Sequence, residues 1–293
     1  MTDNALVTLG ALSKSANVLI EKISSAVGEI YKPYQMERIA RAEAAVARIQ
    51  VESEIEIAEL QRRAARRFVE EETKKQLNIE AITTTAISHI KDDASPEAIE
   101  DDWISNFFDK SRIVSDKEMQ GLWSRVLAGE ANSPGTFSRK TVNLIADIDK
   151  KDALLFTKLC GFGWMIPDVV PLIFNTEDSI YQKQGINFMS LNHLESLGLI
   201  SFNSMVGYKK IGFPRNIAVF YYGRRVELAL PKDSGNDLNT GNVLLTQAGQ
   251  ELAPICGSQP VEGFFEYVSE KWKSKGYIPE TTEENAETKS ESQ

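Results

Sequence analysis

From Tyr34 to Ser95 the chain runs 62 residues with neither glycine nor proline, between Pro33 and Pro96. Text of this kind, rich in Ala, Glu, Arg, Ile and Gln, favours a helix and contains nothing that stops one. One or two long helices follow. Continuous to about Lys91, such a helix would reach on the order of 80 to 90 Å at ~1.5 Å per residue, longer than a compact domain of this size is wide.

Read in heptads, Ile39, Val46, Ser53 and Leu60 fall at one seam position and Ala42, Ile49 and Glu56 at the other. The apolar members Ile39, Ala42, Val46, Ile49 and Leu60 make a candidate oligomer seam, which polar and small residues interrupt. A helical hairpin and an oligomeric stalk are both open. Arg62, Arg63, Arg66 and Arg67 form a basic cluster, but Glu59 stands four before Arg63, and Glu70 and Glu71 stand four after Arg66 and Arg67. That spacing predicts pairing along one helix rather than a stripe for phosphate. Ahead of the arm, Leu9, Leu12, Ala16, Leu19, Ile20, Ile23, Val27 and Ile30 share one face of a helix over 5–31. Its polar face offers only Lys14 and Lys22 beside Glu21 and Glu29, so packing on the long helix is expected in preference to a membrane surface.

Beyond Ser95 the helical boundaries are legible. Ser95-Pro96 reads as a helix start, Ser115 with Glu118 as a capping box, Gly129 as a helix stop and Pro134-Gly135 as a turn. Helices over 138–147 and 149–160 follow. After Gly161 the text changes: a helix over 187–197 leads to short β-branched and aromatic runs at 198–202, 217–222, 226–230 and 243–245, then to two closing helices. Helices, a strand, a basic hairpin and a closing helix follow the order of a winged helix-turn-helix. The fold class is therefore mainly α, with a long N-terminal helical arm (1–94), a small helical middle unit (95–160), a C-terminal winged-helix-like α+β module (161–278) and an acidic tail (279–293). The tail carries five Glu against one Lys and lacks a large apolar residue, so disorder is expected there.

Composition excludes more than it selects. Net charge is −9 with 42% hydrophobic residues, which argues against non-specific nucleic-acid binding by the whole chain. Two cysteines, Cys160 and Cys256, cannot build a disulfide framework or a four-thiolate zinc site, and their spacing matches no redox motif. A cytoplasmic, reducing setting is expected, with Asp3 where a secretory signal would be basic and no apolar stretch of the ~18 residues a bilayer span needs. His89 and His193 have no acid or thiol at metal-ligand spacing, and no nucleotide loop, nucleophile elbow or zinc-protease motif occurs. The acids Glu97, Glu100, Asp101 and Asp102 suit a helix N-terminus better than a metal. The expectation is a protein without cofactor, metal site or enzymatic activity.

One stretch runs against the charge of the chain. Residues 207–225 hold Lys209, Lys210, Arg215, Arg224 and Arg225 with no acid, interleaved with aromatic residues that include Tyr208 and Tyr222. This composition suits phosphate contact by a wing, or contact with a protein partner. The helix before it offers Asn187, Ser190, Asn192, His193 and Glu195 and neither Arg nor Lys, a poor set for reading bases. Protein contact is favoured over DNA, with a homo-oligomer the expected assembly.

The string from Asp102-Trp103-Ile104 through Phe107-Phe108, Ser115-Asp116, Met119-Gln120, Leu122-Trp123, Leu127-Ala128-Gly129-Glu130, Pro134-Gly135 and Phe137-Ser138 resembles an uncharacterised bacterial family, the domain of unknown function catalogued as 2806. The resemblance extends to 187–200 and to Leu245-Thr246 through Gly249-Gln250-Glu251-Leu252. A local likeness, at Leu122-Trp123, Leu127-Ala128 and the following helix, links it to the abortive-infection alpha proteins. That likeness implies a role in phage defence or stress and assigns no residue a part in it.

Overall fold

The computed structural model describes residues 13–27 and 59–278. The seam positions Ile39, Ala42, Val46 and Ile49 and the tail 279–293 lie outside the described residues. It shows a mainly helical protein with N-terminal helices, a helical middle region and a C-terminal region of helices and small antiparallel sheets. The chain divides into two compact units, 1–150 and 151–293.

In the first unit, α1 (Lys14–Val27) buries Ala16, Leu19 and Ile23. Among the described residues that stripe packs on the 3₁₀ turn Pro96–Ala98 and on α3 (Asp101–Ser111). Lys22 fastens it, donating to the Glu97 carbonyl at 2.8 Å and pairing with Asp101 at 3.3 Å. The long helix, α2, is described from Glu59 to Ile87. Its arginines pair as their spacing predicts: Arg62 and Arg63 with Glu59, Arg66 with Glu70 and Arg67 with Glu71. From Asn78 onward α2 packs on α4 (Lys117–Asn132). A run of polar contacts sets the register there: the Gln120 amide donates to Asn78 Oδ1 at 3.0 Å, and the Ser124 hydroxyl reaches the Ile82 carbonyl at 3.0 Å. Buried groups of this kind stabilise because each finds a partner.

Three local readings shift. The helix expected at Ser95-Pro96 makes only the 3₁₀ turn, and α3 starts at Asp101, because Ile99 is extended and 1% exposed: its side chain reaches the core only if the chain leaves the helix there. The cap of α4 is Asp116, whose carboxylate accepts from the Glu118 and Met119 N–H groups, while Ser115 is engaged by the Asn78 amide. Gly129 does not end α4, which continues to Asn132. The following turn is tied back by buried Glu130, whose carboxylate accepts from the N–H groups of Gly135 and Phe137. Ser138 then caps α5 (Arg139–Asp147). Trp103 closes this core by donating its indole N–H to the Phe137 carbonyl, and it stacks on Phe107, which meets Phe108 and Trp123 edge-on.

The second unit opens with α6 (Lys150–Cys160), then a hairpin of β1 (Gly163–Ile166) and β2 (Asp168–Pro171). After α7 (Ser179–Gln182) and α8 (Phe188–Ser196) come β3 (Ile200–Phe202), β4 (Tyr208–Phe213), β5 (Asn216–Tyr221), β6 (Arg224–Ala229), β7 (Asn236–Gly241) and β8 (Val243–Leu245). Helices α9 (Gln247–Leu252) and α10 (Phe264–Ser274) complete it. Three antiparallel sheets form: β2-β1-β5-β6, β3-β8 and β4-β7. Leu191 and Leu194 of α8 are buried, each contributing about 1.5–3 kcal/mol by area. The centre is aromatic: Trp164 stacks on Tyr221 and Phe265 and meets Trp272 edge-on, with Phe162 against Phe264.

Candidate functional site

The stretch 207–225 is contiguous in sequence but divides among two sheets. β4, with Tyr208, Lys209 and Lys210, pairs with β7, whereas β5 and β6 pair with each other and β5 joins β1. Arg215 sits in the connection between β4 and β5, and Tyr222 and Gly223 form the two-residue turn from Tyr221 to Arg224. Both turn residues have positive φ, 45° at Tyr222 and 84° at Gly223. A tyrosine rarely adopts this conformation. Its hydroxyl sits 2.6 Å from Ser258 Oγ and 3.2 Å from the Cys160 carbonyl, contacts that hold the ring in place.

Acids reach four of the five cations from elsewhere in the chain. Lys210 donates to the Ile166 carbonyl at 2.7 Å and to Asp168 at 3.1 Å. Arg215 pairs with Asp233 at 3.1 Å, and Arg225 with Glu227 at 2.7 Å. Arg224 pairs with Glu266 at 3.1 Å while its guanidinium lies 3.3 Å over the Phe265 ring. The backbone N–H of Glu266 itself, and then the Arg224 guanidinium, hold its carboxyl below the ordinary range. Exposed pairs like these are individually weak, but each sets a negative charge where a phosphate would have to sit. Lys209 is exposed and has no acidic partner among the described residues.

The polar side chains of α8 are also engaged. Asn187 and Ser190 form a reciprocal capping box, and Asn192 donates to the Phe188 carbonyl. His193 Nε2 lies 2.7 Å from Asp152, and Glu195 accepts from the Phe202 N–H. Large apolar residues are exposed as well: Phe188 and Met189 on α8, Met205 and Val206 in the β3–β4 connection, and Ile211 on β4. Leu60, the described member of the seam, is 66% exposed in the first described turn of α2.

A cleft of about 290 Å³, which no motif announces, is lined by Phe174, Val206, Asn239, Asn242, Lys271 and Lys275. Lys271 lies 4.8 Å from the Tyr267 ring centre and 5.5 Å from that of Phe174, a cation held by ring faces. Among the described residues no three His, Cys, Asp or Glu groups converge as metal ligands, and no helix is long and apolar enough to cross a membrane.

A family described as Protein of unknown function (DUF2806) matches residues 62–269. The chain belongs to this family. No curated protein and no solved structure gives a match. In this DUF2806 protein the matched span takes in most of α2, the helical middle region and the whole of 207–225, and it begins just after Leu60.

Proposed function

We propose that this is a non-enzymatic interaction protein of bacterial type that self-associates through its N-terminal helical arm. The observation that supports this reading is on α2. Between Glu59 and Leu77 no residue is buried, and Leu60, Phe68 and Leu77 are 66, 64 and 57% exposed. A helix earns little stability from its own hydrogen bonds in water, and one that leaves large apolar residues bare over five turns fits a partner of the same kind. The intramolecular engagement of the α8 polar groups and of four wing cations favours protein contact over nucleic acid. Phage defence or stress is the setting that the likeness to the abortive-infection alpha proteins suggests. Light scattering on the full chain at tens of micromolar tests the reading: an oligomer is expected, Leu60→Glu with Phe68→Glu should reduce it to monomer, and a monomeric wild type would overturn it.

A second reading, a winged-helix DNA-binding regulator, is favoured by the element order α6, the β1-β2 hairpin, α7, α8, β3, an excursion of ribbons, then β8, and by exposed Lys209. Retardation of duplex DNA at low salt, lost on neutralising Lys209, Lys210, Arg215, Arg224 and Arg225, would establish it. No retardation at low salt removes it.

A further inference from the structure

Cys160, the last residue of α6, and Cys256, in the loop after α9, are far apart in sequence, yet the fold sets them side by side and neither is in a disulfide. Cys160 is 2% exposed, while Cys256 is partly open to solvent. The Cys256 thiol lies 3.2 Å from the Ala253 carbonyl, with Ser258 and Thr157 beside it. The Thr157 hydroxyl also reaches the Cys256 carbonyl at 3.2 Å, which fixes the loop against α6. Tyr222 closes the other side, bonded to Ser258 and to the Cys160 carbonyl.

We propose that Cys160 and Cys256 form an oxidation site, at which a peroxide converts the pair to an intramolecular disulfide through attack by Cys256. The roles follow from the surroundings. Burial pushes the Cys160 thiol well above the ordinary range, so it keeps its proton and donates it to Cys256. That donor, with those from Ser258 and Thr157, holds the Cys256 thiol below the ordinary range in spite of its partial burial, and the thiolate is the nucleophilic form. The Cys256 thiolate attacks one peroxide oxygen; the O–O bond breaks, the other oxygen leaves as hydroxide and takes up a proton, and Cys256 becomes a sulfenic acid. The Cys160 sulfur then attacks the Cys256 sulfur. The S–O bond breaks, and the departing hydroxide takes the Cys160 proton as water. Two thiols lose two electrons, one peroxide gains them, and two waters form. The product ties the end of α6 to the loop that follows α9.

Hydrogen peroxide added to the full chain in reductant-free buffer tests this. Expected are an intact mass lower by two hydrogens, loss of both alkylatable thiols, a single-chain species on a non-reducing gel, and recovery with dithiothreitol. Cys160→Ser should instead leave a sulfenic acid at Cys256 that dimedone traps, and Cys256→Ser should leave Cys160 unmodified. Both thiols intact, Cys256 overoxidised beside a free Cys160 in the wild type, or a disulfide between two chains would each overturn the proposal.

Discussion

Gly129 faces the ring of Phe137 so closely that a β-carbon on it would lie 2.6 Å from a ring carbon. The glycine is inside α4, where alanine would gain about 1 kcal/mol of helix propensity. Overpacking costs about 1–3 kcal/mol, and Phe137 is 2% exposed with no solvent to move into. Gly129→Ala should therefore destabilise despite the better helix former. Phe137→Leu in the same chain should recover part of the loss, as urea unfolding of the single and double variants will show.

At the other end of α4, the pH dependence has a definite sign. The Asp116 carboxyl is held below the ordinary range, first by the Met119 N–H and also by Lys150. A carboxylate with a lowered folded value contributes stability that is complete above its unfolded value, about 3.9, and lost as pH falls through the folded one. Asp116→Ala should lower the melting temperature at pH 7. Asp116→Asn, which still caps, should lower it less, and its difference from wild type should shrink below about pH 4.

Gly241 is the backbone position with least freedom. Its φ is +86°, and a β-carbon would meet the Ile173 carbonyl oxygen at 2.1 Å. Gly257 has φ +78° with nothing within 4 Å. Gly257→Ala should cost only the left-handed strain, about 1–2 kcal/mol. Gly241→Ala adds a clash with backbone that cannot move aside and should cost more than 4 kcal/mol, or prevent folding, by thermal melting of the two variants side by side.

Alkylation of Cys256 gives a second pH test. The groups facing it are Cys160 and Tyr222 among the titratable ones, with Ser258 and Thr157 as donors. The midpoint of its iodoacetamide rate profile should lie below the ordinary thiol value of about 8.5, and Cys160→Ala should move it upward because the neighbouring thiol that favours the thiolate is gone. An unchanged midpoint in that variant would show that Cys160 does not control the ionisation.

Local chemistry was readable from the sequence where one short segment decides it. The Asn187 start of α8, the Thr246 cap of α9 and the Glu–Arg pairs of α2 all depend on residues within four positions of one another. Ser115 and Asp116 could equally cap α4, and a residue from another helix, Asn78, made the choice. β7 reads Asn-Asp-Leu-Asn-Thr-Gly, poor strand text, and is held because buried Asn236 bonds the Phe213 carbonyl and β4 lies alongside. Glu227 lies two positions past Arg225, just outside the stretch 207–225, whereas Lys210, Arg215 and Arg224 looked unopposed because Asp168, Asp233 and Glu266 stand 18 to 42 positions away. The thiol contact was invisible for the same reason: proximity across such separations is a property of the fold.

The tryptophans fall two to each unit, Trp103 and Trp123 in 1–150, Trp164 and Trp272 in 151–293. Those of the second unit have ring centres 4.8 Å apart at 79°, close enough to couple electronically, whereas Trp103 stacks on a phenylalanine. The chain thus carries a separate optical reporter in each half. With Trp103 and Trp123 replaced by phenylalanine, tryptophan emission excited at the red edge of the band comes from the second unit alone, and its melting can be followed without a dye.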